Sequence, residues 1–175
     1  KTIDVDQKSK GGWGDPHYHL KSENGKMIKF DHKGTDGNMY NVFEGDSLSI
    51  KGRYAPYKNP KNPQVIDKAE ITAGAQKITF DLQGNLEIDG EKVSTQKPIT
   101  LDDGTIIKAN GSKGIQVITP DGNSIINIKS EKAGLTIDPE GEFDNAGGII
   151  GTALAENRKL SNKEADGFDL GQATF

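Results

Sequence analysis

Gln76-Lys77-Ile78-Thr79-Phe80-Asp81-Leu82-Gln83-Gly84-Asn85-Leu86-Glu87-Ile88-Asp89-Gly90-Glu91-Lys92-Val93-Ser94 alternates apolar and polar side chains and breaks at Gln83-Gly84 and Asp89-Gly90. A period of two puts every second side chain on one face of an extended chain, and Asp-Gly readily adopts the positive φ angles of a two-residue hairpin turn. The stretch therefore predicts short strands over residues 76–82, 86–88 and 92–94, folded back on one another.

The same pattern extends both ways along the chain. Residues 26–30, 39–43, 48–54 and 65–72 precede it, with turns at 32–37 and Glu44-Gly45-Asp46. Residues 105–109, 115–119, 124–129 and 135–137 follow, parted by turns such as Asp102-Asp103-Gly104 and Pro120-Asp121-Gly122. Residues 55–63 hold three prolines and two asparagines, which bars them from a sheet interior and predicts a surface loop. The expected fold is all-β, an antiparallel β-sandwich or flattened barrel of about ten short strands. One or two short helices are expected near the C-terminus, at residues 153–158 and 162–165, entered through a buried apolar turn at 145–151. Residues 1–12, polar and ending in Gly11-Gly12, read as a flexible leader or an edge segment, and 13–175 as a single domain without a fixed-period repeat.

Composition narrows the chemistry. Of 175 residues 32% are hydrophobic and 22 are glycine, which suits strands and tight turns around a thin core. The net charge of −4 is spread along the chain with no dense basic block, so nucleic acid is not an expected partner. No apolar run of about 18 residues occurs and the first residues are polar, so neither a membrane span nor a signal peptide is expected, as in an excised or processed domain. With no cysteine, thiol catalysis and disulfides are excluded. Abundant carboxylates and amides beside three histidines favour calcium over zinc or copper. A conventional hydrolase finds no support, since the chain has no Gly-x-Ser-x-Gly elbow, phosphate loop or zinc-protease motif.

The sharpest chemistry lies in Trp13-Gly14-Asp15-Pro16-His17-Tyr18. A proline nitrogen belongs to a tertiary amide, is protonated more easily than an ordinary amide and leaves more readily once its carbonyl is attacked. The Asp15 carboxylate reaches its own main-chain carbonyl by closing a five-membered cyclic anhydride, which expels Pro16 as a new amino terminus. Correct geometry in such a tethered reaction is equivalent to roughly 10⁵–10⁸ M of external nucleophile, or about 7–11 kcal/mol of barrier. Gly14 lets the backbone bend, Pro16 biases Asp15 toward extended backbone, and His17 is near enough to protonate the leaving nitrogen. Trp13 and Tyr18 are expected to wall the site against water. A Gly-Asp-Pro turn is also a sound structural element in itself, so a purely architectural role is the alternative.

This motif, followed by Asn24-Gly25-Lys26 and a strand ending at Phe30, resembles the opening of von Willebrand factor type D domains, where a Gly-Asp-Pro-His-Tyr run precedes a Phe-Asp-Gly turn. The similarity continues through residues 77–93 and 147–169 and covers most of 13–169. Gly148-Ile149-Ile150-Gly151 fits the family's glycine-rich tail turn, whereas Thr152-Ala153-Leu154 replaces the Asn and Asp of its calcium loop, which is not matched. The absence of cysteine points to bacterial relatives, and the chain is similar to the metal-ion-inducible autocleavage domains of secreted effectors. Those domains carry Trp-Gly-Asp-Pro-His and cut after the Asp when calcium binds.

The resemblance implies that Asp15 is nucleophile and new carboxy terminus, Pro16 the new amino terminus and His17 the proton donor, in a secreted or extracellular protein, with calcium as the trigger. Some relatives join the anhydride to another molecule, so a nucleophile on a protein or glycan becomes an expected partner of an otherwise monomeric chain. Calcium takes about six to eight oxygens, and no stretch fits the helix-loop-helix calcium pattern, so a site must be assembled from distant loops. The candidate ligands are Asn24, Asp31, Asp144, Asp166 and Asp169, with Asp36, Asn38, Asn145, Glu156 and Asn157 as further oxygen donors nearby in sequence. His17, His19 and His32 as a transition-metal site is a weaker alternative than three surface histidines. The competing function is a non-cleaving, calcium-binding adhesion or assembly module of a larger extracellular protein, its partner sought at Tyr54 and Tyr57 beside the proline loop.

Overall fold

The computed structural model describes residues 2–5, 12–13, 17–21, 27–45, 47–132, 134–144 and 146–157. In chain order the strands are β1 (Thr2–Val5), β2 (Gly12–Trp13), β3 (His17–Lys21), β4 (Met27–Asp31), β5 (Met39–Glu44), β6 (Leu48–Pro56), β7 (Gln64–Ala73) and β8 (Gln76–Asp81). They continue as β9 (Leu86–Ile88), β10 (Glu91–Lys92), β11 (Ile99–Thr100), β12 (Ile106–Ala109), β13 (Gly114–Ile118), β14 (Ser124–Glu131) and β15 (Gly134–Asp144), and a helix, α1 (Gly148–Asn157), follows. The protein is all-β, as expected, and its strands form two antiparallel sheets rather than a closed barrel. One has six strands in the order β10-β9-β8-β7-β6-β5; the other has nine, in the order β11-β12-β13-β14-β15-β2-β3-β4 with β1 also on β15.

The opening hairpin explains why the pattern reads true. Asp89 and Gly90 have φ of 50° and 85°, so both central residues of the β9–β10 turn are left-handed and Ile88 pairs with Glu91. This is the two-residue connection whose twist matches that of the strands. Alternation then drives burial: along β14, Ser124, Ile126 and Ile128 are buried while Ile125 and Asn127 are half-exposed. Isoleucines from both sheets, among them Ile66, Ile71, Ile107 and Ile126, meet in one core with Phe43 and Tyr54.

Three details depart from the sequence reading. Strand β6 runs on to Pro56, pairing Ala55 with Val65 and Pro56 with Gln64, so the loop begins two residues later than its prolines suggest. Residues 148–151 are the first turn of α1 rather than a lead-in to it, with Ile149 and Ile150 fully buried as the helix packs on β5. Thr2–Val5, within the stretch read as a leader or edge segment, pairs along β15 from Asp144 to Gly141.

The two sheets approach closely where Gly134 opens β15. It has φ of 95°, and a Cβ there would sit 2.7 Å from Val65 Cβ and 3.1 Å from the Ile66 carbonyl on β7. Gly134→Ala is expected to cost about 2–5 kcal/mol, combining left-handed strain with overpacking. Gly37, at φ of 84° with open space around its Cβ position, supplies the control, for which Ala should cost only the backbone term of about 1–2 kcal/mol. Denaturant midpoints of the two variants measure the difference.

Candidate functional site

The Gly-Asp-Pro-His segment joins β2 to β3. Trp13 lies opposite His17 and Gly12 opposite Tyr18, so three residues of chain connect one paired strand to the next. Those three, Gly14, Asp15 and Pro16, lie outside the described residues, as do Asn24, Asp166 and Asp169. On its other side β3 pairs with β4, placing Asp31 opposite His17, Tyr18 opposite Phe30 and His19 opposite Lys29. Directly opposed residues of an antiparallel pair share a face, and neighbours along a strand alternate. Trp13, His17 and Asp31 thus occupy consecutive register positions across three strands.

Tyr18 is the anchor of that hairpin, and it is completely buried. Its hydroxyl lies 3.0 Å from that of Tyr54 on β6, in the other sheet, and His32 Nδ1 lies 2.9 Å from the same Tyr54 oxygen. The His32 ring stands edge-on to Tyr40 and Tyr54, with centroids 5.3 and 5.6 Å away, and Tyr40 lies 4.6 Å from Tyr54. Thr35 closes the cluster by donating its backbone N–H to the Tyr40 hydroxyl at 2.7 Å. The Tyr54 phenol therefore links the strand carrying the motif to the second sheet through buried hydrogen bonds.

Two expectations are corrected by this geometry. Tyr54 is fully buried and cannot serve as a contact for a partner, whereas Tyr57 is half-buried with Lys58 Nζ 5.0 Å from its ring centre. His32 is not a surface histidine; it is 1% exposed and bonded within the tyrosine cluster.

Burial raises the pKa of both Tyr18 and Tyr54 far above the ordinary phenol value, because an anion there would lose its hydration. Tyr40 shifts the other way, chiefly because the Thr35 N–H stabilises its anion. The sign for stability follows from proton counting. Above pH ~10 the unfolded chain releases phenolic protons that the folded chain retains, so stability falls as pH rises past that point and is unaffected by these groups below it. In an alkaline titration followed by phenolate absorbance, Tyr18 and Tyr54 are expected to ionise only together with unfolding, after Tyr40.

Of the candidate metal ligands, Asp31 stands opposite His17 and Asp144 opposite Thr2, at the ends of different strands. Among the described residues no three His, Asp or Glu side chains gather in one place. The candidate donors are carboxylate and amide oxygens, a set that suits a hard cation. No described helix is long and apolar enough to cross a membrane. No protein-family model matches the chain, and no curated protein matches it.

Proposed function

We propose that the protein is a single-turnover, calcium-induced autoprotease of secreted, bacterial type, related to von Willebrand factor type D-like autocleavage domains, that cuts its own Asp15–Pro16 bond. One observation carries the reading: Trp13 and His17 are cross-strand partners, so the chain between them, with the Asp-Pro bond at its centre, is tied at both ends to a sheet. Tyr18 fixes the next residue in the core, which restricts the register of the whole hairpin.

Asp15 Oδ attacks its own main-chain carbonyl carbon, the bond from that carbon to Pro16 nitrogen breaks, and His17 delivers a proton to the departing nitrogen. The products are a secondary amine at Pro16 and a cyclic anhydride at Asp15. Water opens the anhydride to two carboxyl groups, or an amine or hydroxyl of another protein or a glycan captures it as an amide or ester. Asn24, Asp31, Asp144, Asp166 and Asp169 are the residues proposed to hold calcium. The bound cation would order the segments that carry them and offset their charge.

The test is to add calcium to the purified chain and weigh the products: fragments of residues 1–15 and 16–175 are expected, and a chelator should prevent them. The second reading, an uncut assembly module, is favoured by a groove of about 1000 Å³ beside the proline loop, lined in part by Tyr57, Lys58, Val65, Lys113 and Lys132. A chain that stays whole in calcium would leave that groove as the place to look for a partner.

A further inference from the structure

We infer that Asn110 is a modification site, losing its side-chain amide spontaneously through the backbone nitrogen of Gly111, and that a hydrogen bond to Asn127 holds this reaction back; the inference is independent of the cleavage reading above. The connection between β12 and β13 carries it. The Asn110 N–H donates to the Gly114 carbonyl at 2.9 Å and closes a three-residue loop, Gly111-Ser112-Lys113, all of it exposed. Gly111 has φ of 79°, and no atom lies within 4 Å of the position its Cβ would take. Its N–H makes no hydrogen bond among the described residues. The loop borders a cavity of about 310 Å³, which gives water access to it.

Glycine on the carboxyl side favours the reaction, because a Cβ there would hinder the approach of its nitrogen. The Gly111 nitrogen attacks Asn110 Cγ and the new N–Cγ bond closes a five-membered imide. The Cγ–Nδ2 bond breaks, and the proton of the Gly111 N–H departs on ammonia. Water then opens the imide: attack at Cγ gives aspartate at position 110, and attack at the main-chain carbonyl gives isoaspartate, in which the chain runs on through Cγ. Both reacting atoms belong to adjacent residues, so the ring closes without an external nucleophile.

The side chain is restrained by its partners. Asn110 Nδ2 donates to Asn127 Oδ1 at 2.9 Å, and Gln116 Nε2 donates to the same oxygen at 3.0 Å. Asn127 Nδ2 in turn donates to Glu140 Oε1 at 3.1 Å, so the Asn127 amide is held from β13 and from β15. Expelling Nδ2 as ammonia breaks the Asn110 bond and leaves an acidic oxygen facing Asn127 Oδ1, acceptor against acceptor.

The test incubates the purified wild-type chain in mildly alkaline buffer and follows each asparagine by peptide mapping, with isoaspartyl methyltransferase as the probe for isoaspartate. Asn110 is expected to convert at least about 10-fold faster than Asn38, Asn85 or Asn123, none of which precedes a glycine. Rates at those three in the same sample serve as the reference for every variant, which cancels any general loosening of the fold. On that scale Asn127→Ala should speed conversion about 3- to 10-fold, the effect of losing one hydrogen bond of ordinary net strength. Asn127→Asp, which keeps an acceptor oxygen opposite Asn110, should stay within about twofold of wild type. Conversion of Asn110 no faster than that of the three reference asparagines, or equal rates in Asn127→Ala and wild type, would overturn the inference.

Discussion

Asp15→Ala is expected to leave the chain whole under conditions in which calcium splits the wild-type protein between Asp15 and Pro16. The magnitude follows from the reaction. A correctly held carboxylate is equivalent to roughly 10⁵–10⁸ M of external nucleophile, so removing it should slow scission by at least about 10⁵-fold. Asp15→Glu sharpens the test: it keeps the charge, yet forces a six-membered anhydride and moves the attacking oxygen. A loss of about 10²-fold is expected from displacement on the scale of one bond length. Intact mass over time reads both variants on one scale, and rapid cutting of Asp15→Ala would mean that another group attacks.

Tyr54 carries the second large effect, on stability. Its ring is packed against Tyr40 and His32, and its hydroxyl is shared by Tyr18 and His32 from the opposite side of the core. Tyr54→Ala removes a buried aromatic side chain and both hydrogen bonds, for an expected loss of about 4–6 kcal/mol. Tyr54→Phe keeps the ring and withdraws only the hydroxyl, for about 1–3 kcal/mol, since two buried polar partners each lose one bond. The pair separates packing from hydrogen bonding in a chemical denaturation experiment. Equal midpoints for Tyr54→Phe and wild type would show that the tyrosine–histidine chain adds nothing to the joining of the sheets.

The fold was legible wherever local chemistry decides it. The period of two along residues 76–82 and the Asp89-Gly90 turn describe β8 and the β9–β10 hairpin closely, because a two-residue turn fixes its own register. Legibility ended where partners are distant. Strand β15 extends beyond the expected residues 135–137 to Asp144 although it contains Pro139, which sits between the position paired with β2, Ile137, and the first position paired with β1, Gly141. A proline in a strand reads as a break, and only the change of partner at this point accommodates it. The start of α1 was hidden in the same way, since Gly147, Gly148 and Gly151 argue for a turn until the bridge between Gly147 and Glu44 seats the helix against β5.

The packing behind the motif was not legible. Counting by twos from Leu48 through Ile50 and Gly52 reaches Tyr54 on the buried face of β6, a signal that the neighbouring prolines outweighed. His32 follows no such count. Its burial depends on Tyr40 and Tyr54, which meet it through the packing of two sheets. The pairing of His17 with Asp31 is a matter of register between β3 and β4, and the sequence offered Asp31 only as one turn acid among several.

The most direct measurement is the intact mass of the calcium-treated chain in the presence of hydroxylamine, which attacks an anhydride but leaves an ordinary peptide bond in a folded protein unaltered. Self-cleavage through Asp15 predicts an unmodified 16–175 fragment beginning at Pro16, together with a 1–15 fragment of which part carries one hydroxylamine adduct at Asp15. An uncut chain, a cut at another bond, or a 1–15 fragment that never takes up the adduct would contradict the account.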